Sequence, residues 1–322
     1  MFDDIELGWR LCRPDHICPY IRQFLLPNHT GRDCSLVASS TLQGFVSALS
    51  SCFDLQGRSR DWCDDTATGN PVRADLVRRT LDNYRQLQIS AGRRERSATP
   101  ILPEDLRFMI QRMDQALIAA LQDHKTTTSA TLLRDMTFML YLWNGGRRGQ
   151  DALYVDWEDV HIRLADRSVV PVAELWSQTD PTAAPVLGPL VIVPSRTKTD
   201  QSRRPASQEL RLNAEVELCA VRRLHSLYQW GVQQDRRAPT GAVFVSVRGS
   251  RSRLQSQAAG NRMHACLTQY GRYKGETMHS FRRGHIQAAQ AADEPEATTM
   301  QRAGIVTLQT FRKYADSGRH LP

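Results

Sequence analysis

Two stretches near the end of the chain are the most informative part of the sequence: MHSFRRGHIQ at residues 278–287 and AGIVTLQTFRKYADSG at residues 303–318. The first places His279 and Arg282 three residues apart, so both can face one pocket if the stretch is a helix. The second carries Tyr314, which following helices can deliver to the same pocket. Arginine binds phosphate oxygens with two hydrogen bonds, and tyrosine can act as a covalent nucleophile. The combination indicates attack on a phosphate.

An HxxR spacing carries little weight alone. The chain has 9 His and 38 Arg among 322 residues, so chance gives about one such pair. A second pair, His29 and Arg32, occurs and has no function assigned. The interpretation therefore depends on related chemistry elsewhere in the chain.

The overall charge indicates an anionic partner. The formal net charge is +8, which favours nucleic acid first and an anionic membrane surface second. The sequence has no run of 18 apolar residues, so we expect no membrane span, and the acidic start MFDDIELGWR is not typical of a signal peptide.

Cysteine usage argues against a disulfide framework and against a metal centre. The seven cysteines include no CxxC pair, and Cys12, His16 and Cys18 lack a fourth ligand at suitable spacing. We expect buried reduced thiols in an intracellular protein, with no metal and no cofactor.

The first ninety residues have the pattern of a small helical unit. Apolar residues recur at helical spacing over residues 35–53 and 75–89, and residues 16–27 suggest another short helix. Residues 93–102 begin with four consecutive charges and contain Pro100, which is typical of a linker. We predict a helical domain at 1–92 and a linker at 93–102. The unit is short, which leaves open whether residues before Met1 are missing.

Residues 103–322 mix helices with a few strands. The pattern predicts helices at roughly 103–123 and 129–144, the second ending at Gly145 and Gly146. Strands are expected at 159–163, at 168–172 and in a hairpin formed by 188–199 and 203–212, followed by a helix at 214–230, a short strand at 242–246 and further helices. The predicted fold class is mainly α with a small antiparallel β-sheet, an α+β protein.

Basic residues without any acid fill one stretch between Ser246 and Lys274. They are Arg248, Arg251, Arg253, Arg262, Arg272 and Lys274. Such a run is either a solvated face or a set of contacts to a nucleic-acid backbone. We predict DNA contacts here and at Arg312, close to Tyr314.

The upstream segment GRRGQDALYVDWEDV, residues 146–160, resembles the first arginine motif of the tyrosine recombinases, the phage-integrase family. Arg148 keeps the register of that motif, with Asp151 three, Trp157 nine and Asp159 eleven residues later; Arg147 does not. The resemblance implies that Asp151 supports Arg148.

Three further segments complete the resemblance. PSRTKTDQSRRP is similar to the family's β-hairpin lysine segment, and Lys198 is the only lysine between Lys125 and Lys274. HSFR matches the HxxR motif, and AGIVTLQTFRKY matches the terminal tyrosine motif. The implied catalytic set is Arg148, Lys198, His279, Arg282 and Tyr314. The similarity spans about 103–315, and the unit before it resembles the family's core-binding domain.

Looser features resemble one branch of the family, the Crypton and DIRS-like eukaryotic transposon recombinases. They are GNPVRADLVRRTLDNY at 69–84, AEVELCAVRRLHSLY at 214–228, and Gly149 directly after the arginine. One position departs from the family pattern: Ile305 stands where His or Trp usually donates a hydrogen bond to the phosphate. Either Arg302 or Thr307 substitutes for it, or the enzyme is slow or inactive.

The resemblance implies a mechanism. Tyr314 attacks a DNA phosphate to form a 3′-phosphotyrosyl link, and Arg148 and Arg282 neutralise the phosphate oxygens. Lys198 protonates the leaving 5′ oxygen and His279 assists. No metal or ATP is required. The expected partners are double-stranded DNA and, on that DNA, three further copies of the chain in a homotetramer, and no membrane is expected as a partner. The expected location is the nucleus if the source is a eukaryote, and otherwise inside the cell with the DNA.

Several alternatives remain open at this point. Within the same chemistry, a type IB topoisomerase uses a similar residue set, although HxxR and a late tyrosine favour the recombinase. Ile305 favours a DNA-binding protein derived from a recombinase that no longer cleaves. An unrelated basic helical protein is the third alternative. Three of the site residues also have a purely structural interpretation. Asp151 would then be an exposed acid on a helix, Lys198 a solvated charge on a hairpin, and Tyr314 a tyrosine that only packs against its neighbours.

Overall fold

The computed structural model describes most of the chain, in seven stretches. These are residues 8–29, 36–92, 98–177, 186–193, 207–235, 239–247 and 252–315. The chain divides into two compact units, Met1–Arg96 and Ser97–Pro322. The division falls within the predicted linker, while the DNA-binding role of the first unit stays a prediction.

Helices make up the first unit. Helix α1 (Pro14–Pro19) continues through a π-helical segment (Tyr20–Leu25) into a last turn (Leu26–Asn28), and α2 (Ser39–Leu55) and α3 (Asp75–Ser90) follow. A 3₁₀ turn (Pro71–Arg73) precedes α3. Each helix turns an apolar stripe inward, because apolar residues recur every three to four positions. The core contains Ile17, Ile21, Leu42, Val46, Phe53, Val77 and Tyr84.

Buried polar groups fix the loop between α2 and α3. The Asn70 side chain is fully buried, accepts from the Val72 backbone N–H and donates to Ser50 and Asp54. The Arg58 guanidinium donates to the Gly69 carbonyl at 2.7 Å. These bonds replace the water that the loop's polar groups lose on folding.

The second unit has a helical body and a small sheet. Its elements are α4 (Pro103–Gln122), α5 (Thr126–Gly145), α6 (Gly149–Leu153), β1 (Val160–Arg163), β2 (Val169–Pro171), α7 (Val172–Trp176), β3 (Leu190–Ile192), β4 (Gln208–Leu210), α8 (Ala220–Asp235), α9 (Ser256–Gln269), α10 (Met278–Ala291), α11 (Glu296–Ala303) and α12 (Leu308–Ala315). The arrangement confirms the predicted fold class.

Helix α5 lies at the centre of this unit. Ten consecutive residues, 133–142, are buried, so the helix is covered on all sides, and it packs against α4, α8, α9 and α10. It ends at Gly146, whose φ of 57° is the left-handed conformation that favours glycine. The predicted glycine stop is confirmed.

The sheet has four antiparallel strands in the order β2-β1-β3-β4. Strands β3 and β4 pair with Leu190 opposite Leu210 and Ile192 opposite Gln208. The predicted hairpin between these two segments is confirmed.

An ion-pair network with a buried carboxylate joins α5 to the exposed Arg262 of α9. Asp135, 3% exposed, accepts from the neighbouring Arg134 with one carboxylate oxygen and from Arg262 with the other. Arg134 also donates to the Val245 carbonyl at 3.0 Å. Because a buried charge without a partner is costly, this network fixes the register between the helices.

Two predicted elements differ from the structure. Residues 242–246 form no strand, because Ala242 and Val245 make only isolated bridges, to Asp156 and Arg253. The helix predicted at 214–230 begins at Ala220, after a 3₁₀ turn (Val216–Leu218) and an extended Cys219. Its apolar periodicity continues through the turn, so the sequence pattern places the start too early.

Among the described residues, no helix has the length and apolar character needed to cross a bilayer. Within the same part of the chain, His, Cys, Asp and Glu side chains do not gather in threes around a point where a metal ion would fit.

Candidate active site

Helix α10 positions both residues of the HxxR pair. Thr277 precedes the helix, accepts from the His279 backbone N–H, and its own N–H donates to Ser280 Oγ at 2.9 Å. This capping box fixes the start of the helix at Met278. His279 is therefore in the first turn and exposed, whereas Arg282, one turn later, is only 1% exposed.

Arg282 holds together two chain segments, the end of α5 and the end of α11. Its Nη1 donates to the Gly146 carbonyl at 3.0 Å and to the Ala303 carbonyl at 2.7 Å. Its Nε and Nη2 are buried and have no hydrogen-bond partner among the described residues. A guanidinium in this state favours an anion with acceptor oxygens, because buried donors are costly to leave without partners.

The electrostatic surroundings of Arg282 identify its neighbours. Burial lowers its pKa to about 10, the phenolate form of Tyr314 opposes that shift, Arg148 and Arg147 add to it, and Asp151 opposes it. The guanidinium stays charged at neutral pH. Tyr314, Arg148, Arg147 and Asp151 therefore all lie within electrostatic reach of Arg282.

Tyr314 lies beside this guanidinium. Its half-buried ring is centred 5.0 Å from Arg282 Cζ, within the range of a cation–π contact. The ring also packs with Ile286, Ala303 and Phe311. The structure thus brings the predicted nucleophile and the second arginine together.

Arg148 and Asp151 lie at the beginning of α6. Arg148 is the residue that precedes the helix, and Asp151 is in its first turn. A Cβ on Gly149 would lie 2.6 Å from Met278 Sδ, so the absence of a side chain lets α6 approach the start of α10. This close contact brings Arg148 toward the HxxR helix.

Ile305 is part of the apolar packing under the tyrosine. It is 7% exposed and belongs to the cluster that contains Ile286 and Phe311. Its backbone N–H donates to the Met300 carbonyl at 2.8 Å, which completes the turn made by Gly304 at φ 62°. The side chain contributes hydrocarbon surface and no hydrogen bond.

The two suggested substitutes for Ile305 have other partners. Arg302 donates to both carboxylate oxygens of Glu294. Thr307 Oγ1 accepts from the Thr310 backbone N–H at 3.2 Å, which caps α12. Neither side chain is directed by these bonds toward Arg282.

Some predicted site residues lie outside the described part of the chain. They are Lys198, Arg248 and Arg251. The connection that carries Lys198 runs between β3 and β4, whose pairing is described above.

Three of the predicted DNA contacts are engaged within the protein. Arg253 donates to the Leu153 carbonyl and to Asp156, Arg262 donates to Asp135, and Arg272 pairs with Asp105 and lies 4.3 Å from the Phe108 ring centroid. Their acidic partners come from distant parts of the sequence, so an acid-free run does not mean a free surface. Lys274 and Arg312 are exposed.

Arg147 does not keep the register of the arginine motif, yet the structure places its side chain against Gly304, next to the Ala303 carbonyl that Arg282 binds. Arg147 is 9% exposed, and its Nη1 lies 2.7 Å from the position that a Cβ on Gly304 would take. Burial lowers its pKa, with Tyr141 and Asp151 opposing the shift and Arg148 adding to it. The only signal in the sequence is the doubled arginine, since the contact with Gly304 depends on packing.

Comparison with solved structures supports the fold. The XerH site-specific recombinase, in a post-cleavage complex with palindromic difH substrate, is similar over 96% of this chain and 70% of the XerH chain, with a TM-score of 0.55 and 11% identity. At this identity the similarity shows the fold alone: a mainly α unit with a small antiparallel sheet, as in tyrosine recombinase catalytic domains.

Two further solved structures match with lower TM-scores. XerH in a pre-cleavage complex with difH matches 69% of this chain and 51% of its own, with 13% identity and a TM-score of 0.45. The chain thus spans about half the length of that XerH chain. The Tn1549 transposon integrase in complex with circular intermediate DNA matches 97% of this chain and 85% of its own, with 12% identity and a TM-score of 0.46.

The sequence matches no protein-family model and no curated protein.

Proposed function

We propose that this chain breaks and rejoins DNA strands as a site-specific tyrosine recombinase. Tyr314 Oη attacks a backbone phosphorus, the P–O5′ bond breaks, and the 5′ oxygen takes a proton and leaves as a hydroxyl. The product is a 3′-phosphotyrosyl link. Attack on that link by a 5′-hydroxyl reverses the step and releases the phenol, so the broken bond's energy is retained and no ATP is consumed.

One observation carries the proposal. Arg282 is buried with two nitrogens, Nε and Nη2, that have no hydrogen-bond partner among the described residues, and its Cζ lies 5.0 Å from the Tyr314 ring centroid. A phosphodiester supplies both an anionic charge and acceptor oxygens for such a group. The phenol is then adjacent to the phosphorus that it would attack.

The remaining roles follow the same chemistry. Arg148 adds a second positive charge as the phosphate gains negative charge in the transition state, where electrostatic stabilisation is most effective. Asp151 holds Arg148 in position. Lys198 protonates the leaving 5′ oxygen, and the exposed His279 assists proton transfer from the first turn of α10.

The proposal extends to partners and setting. Residues 1–92 serve as a core-binding domain and residues 103–322 as the catalytic domain, and together they bind double-stranded DNA within a homotetramer. The looser sequence features favour a role in transposon integration or excision of the Crypton and DIRS type. The protein then acts in the nucleus if its source is a eukaryote, and otherwise inside the cell with the DNA.

Ile305 favours a second candidate function, a DNA-binding protein that no longer cleaves. The side chain is buried hydrocarbon, and Arg302 and Thr307 are engaged with Glu294 and Thr310. A chain of this kind binds DNA without forming a covalent adduct.

Relaxation of supercoiled plasmid in EDTA, with SDS-resistant protein–DNA adducts scored in parallel, distinguishes these functions. We expect the wild-type chain to relax plasmid and form adducts, Tyr314→Phe to lose both, and Tyr270→Phe to retain both. The control tyrosine packs against the core of the second unit.

If the plasmid is not relaxed, the decisive substrate is a set of cognate DNA ends, selected from a random library for binding to the protein. Adducts on those ends keep the recombinase proposal, whereas binding without adducts on them rejects it and leaves the second candidate. Strand exchange between two such sites separates a recombinase from a type IB topoisomerase, which only relaxes.

A further inference from the structure

A cavity of about 380 Å³ lies in the second unit, between the beginning of α5 and the end of α8; we call it the α5–α8 cavity. Small-molecule sites usually have volumes of roughly 300–1,000 Å³. The lining residues of α5 run from Thr126 to Arg134, whereas Gly146, which Arg282 binds, follows the other end of that helix. Between Arg134 and Gly146 the helix rises roughly 18 Å. The cavity is therefore separate from the candidate active site.

Trp157 lines this cavity with a donor that has no partner. The residue is 5% exposed, and its indole N–H donates to none of the described residues. The nitrogen is nevertheless open to solvent, unlike the buried Nε and Nη2 of Arg282. Because Trp157 is otherwise covered by the core of the second unit, this opening faces the α5–α8 cavity. An acceptor oxygen in the cavity would satisfy the indole, since a buried donor without a partner is unfavourable.

Arg134 supplies further donors to the same cavity. The residue is 5% exposed, and three of its N–H groups bind Asp135 and the Val245 carbonyl. A guanidinium has five N–H groups, so the other two remain for an acceptor in the cavity that Arg134 lines. The polar groups of the buried lining are thus donors, which favours a ligand with acceptor oxygens.

The charges next to the cavity leave an excess of one positive charge. Asp135 pairs with Arg134 and with Arg262, and none of the three has another ion-pair partner in the described part of the chain. The first turn of α5 adds partial positive charge, because no side chain caps it. Asp235, the acid among the described lining residues, is exposed and has an interaction of its own. These surroundings favour an anion with a single charge.

Apolar side chains form much of the remaining wall. They include Leu227, Trp230, Pro239, Val243, Val245 and Val247. Trp230 is half-buried, so one part of its indole is available to a ligand. Aromatic rings pack well against indole and aliphatic surfaces. The wall therefore favours a flat apolar ring, while the donors favour an acidic group attached to it.

We propose that the α5–α8 cavity binds a small aromatic carboxylate, with the ring against Trp230 and the carboxylate on Arg134 and the Trp157 indole N–H. A carboxylate carries the single negative charge that this site balances, whereas a phosphate monoester carries about 1.5 to 2. Such binding does not require the recombinase reaction, so the two proposals can fail independently.

Calorimetric titration of the full chain tests this site with three probes that share one ring, indole-3-acetate, indole-3-acetamide and indoxyl phosphate. We expect the wild type to bind indole-3-acetate with a Kd between about 10 μM and 1 mM. The amide lacks the charge, so we expect it to bind at least about tenfold more weakly. Indoxyl phosphate should also bind more weakly than the acid.

Three results with the wild type would overturn the proposal. They are a Kd for indole-3-acetate above about 1 mM, equal affinities for the acid and the amide, and tighter binding of indoxyl phosphate than of the acid. Plasmid relaxation is not a readout here. A chain without recombinase activity therefore still gives a decisive result.

Two variants locate the bound probe. Trp157→Phe removes the indole N–H and keeps a ring, so we expect indole-3-acetate to bind about three- to tenfold more weakly. Ala130→Phe should fill the cavity from α5 and abolish binding. Trp62→Phe is the control, because Trp62 is a half-buried tryptophan of the first unit that donates to Asp64, and it should keep wild-type affinity. Wild-type affinity in Trp157→Phe or Ala130→Phe places the probe elsewhere and overturns the proposal.

Arg134→Met tests the charge, because it removes the guanidinium while Asp135 keeps Arg262 as a partner. We expect the preference for acid over amide to fall to about twofold or less. Arg134→Lys keeps the charge without the fork of donors, so its preference should be intermediate. An unchanged preference in Arg134→Met, shown to be folded by circular dichroism, overturns the proposal. If that variant does not fold, the probe comparison in the wild type and Trp157→Phe decides.

Discussion

His285 is a buried histidine one turn after Arg282 on α10. It is 4% exposed, and its ring makes an edge-to-face contact with Trp143, with centroids 6.0 Å apart. Burial lowers its pKa from 6.5 to about 3, the positive charges of Arg302 and Arg282 add to the shift, and a hydrogen bond to the Trp143 backbone opposes it. The folded protein therefore keeps this imidazole neutral, close to a cluster of cations.

The shift predicts acid sensitivity. Between pH 6.5 and about 3 the unfolded chain binds a proton at His285 that the folded chain does not, so the free energy of unfolding falls as pH falls. The contribution reaches roughly 1.4 kcal/mol per pH unit. In urea unfolding between pH 6 and pH 4, we expect His285→Leu to lose less stability than the wild type.

His264→Leu is the control for this measurement, because His264 has an exposed ring on α9. It should follow the wild-type pH dependence. Equal acid sensitivity in His285→Leu and wild type would contradict a neutral buried imidazole in the folded state.

At the residue scale, sequence identifies the side chains whose chemistry is local and misses those whose role depends on packing. Arg282 and Tyr314 are recognisable from motif spacing, and the structure brings them together. Arg147 is recognisable only once Gly304 is seen against it. The partners of Arg253 and Arg272 lie 97 and 167 residues away, beyond any local pattern.

At the element scale, one glycine lets an extended segment cross α10. A Cβ on Gly284 would lie 1.8 Å from the Ile101 carbonyl oxygen. The Ile101 backbone N–H donates to the Ser280 carbonyl at 3.1 Å, and its carbonyl accepts from Trp143 Nε1 at 3.2 Å. The segment before α4 is thereby fixed to both α5 and α10.

Two glycine-to-alanine substitutions in neighbouring helices should have opposite effects. Gly284→Ala places its methyl group on backbone that cannot move away, so we expect a loss of about 3 kcal/mol or more. Gly260→Ala lies inside α9 with nothing within 4 Å of its new Cβ, so we expect a gain of about 0.5–1 kcal/mol from helix propensity. Urea unfolding measures both, and a loss below 1 kcal/mol in Gly284→Ala would mean that the segment does not cross α10 as described.

Helices and the central hairpin are predictable because their signals are local. The β3–β4 pairing follows from two apolar runs separated by a polar connection, and the end of α5 follows from two glycines. Residues 242–246 have the composition of a strand, but they pair only through two isolated bridges, between Ala242 and Asp156 and between Val245 and Arg253. Strand formation depends on an available partner edge, which composition does not reveal.

At the scale of the whole molecule, the excess positive charge is only partly available to DNA. The chain has 42 Lys and Arg against 34 Asp and Glu, and Arg253, Arg262 and Arg272 are paired with carboxylates inside the second unit. Arg262 is exposed although it is paired, and Lys274 and Arg312 are exposed as well. Lys274 and Arg312 should therefore account for more of the DNA affinity than the paired arginines.

The salt dependence of DNA binding tests this division. Each phosphate neutralised by a cation releases counterions, so the logarithm of affinity falls with the logarithm of salt with a slope of about −0.9 per contact. On a duplex of arbitrary sequence, measured by fluorescence anisotropy, we expect Arg312→Gln and Lys274→Gln each to reduce the magnitude of the slope by about 1. Arg272→Gln should leave the slope nearly unchanged, because its guanidinium already binds Asp105. If Arg272→Gln reduces the slope as much as Arg312→Gln does, that ion pair opens on DNA, and the acid-free run from Ser246 to Lys274 binds the backbone after all.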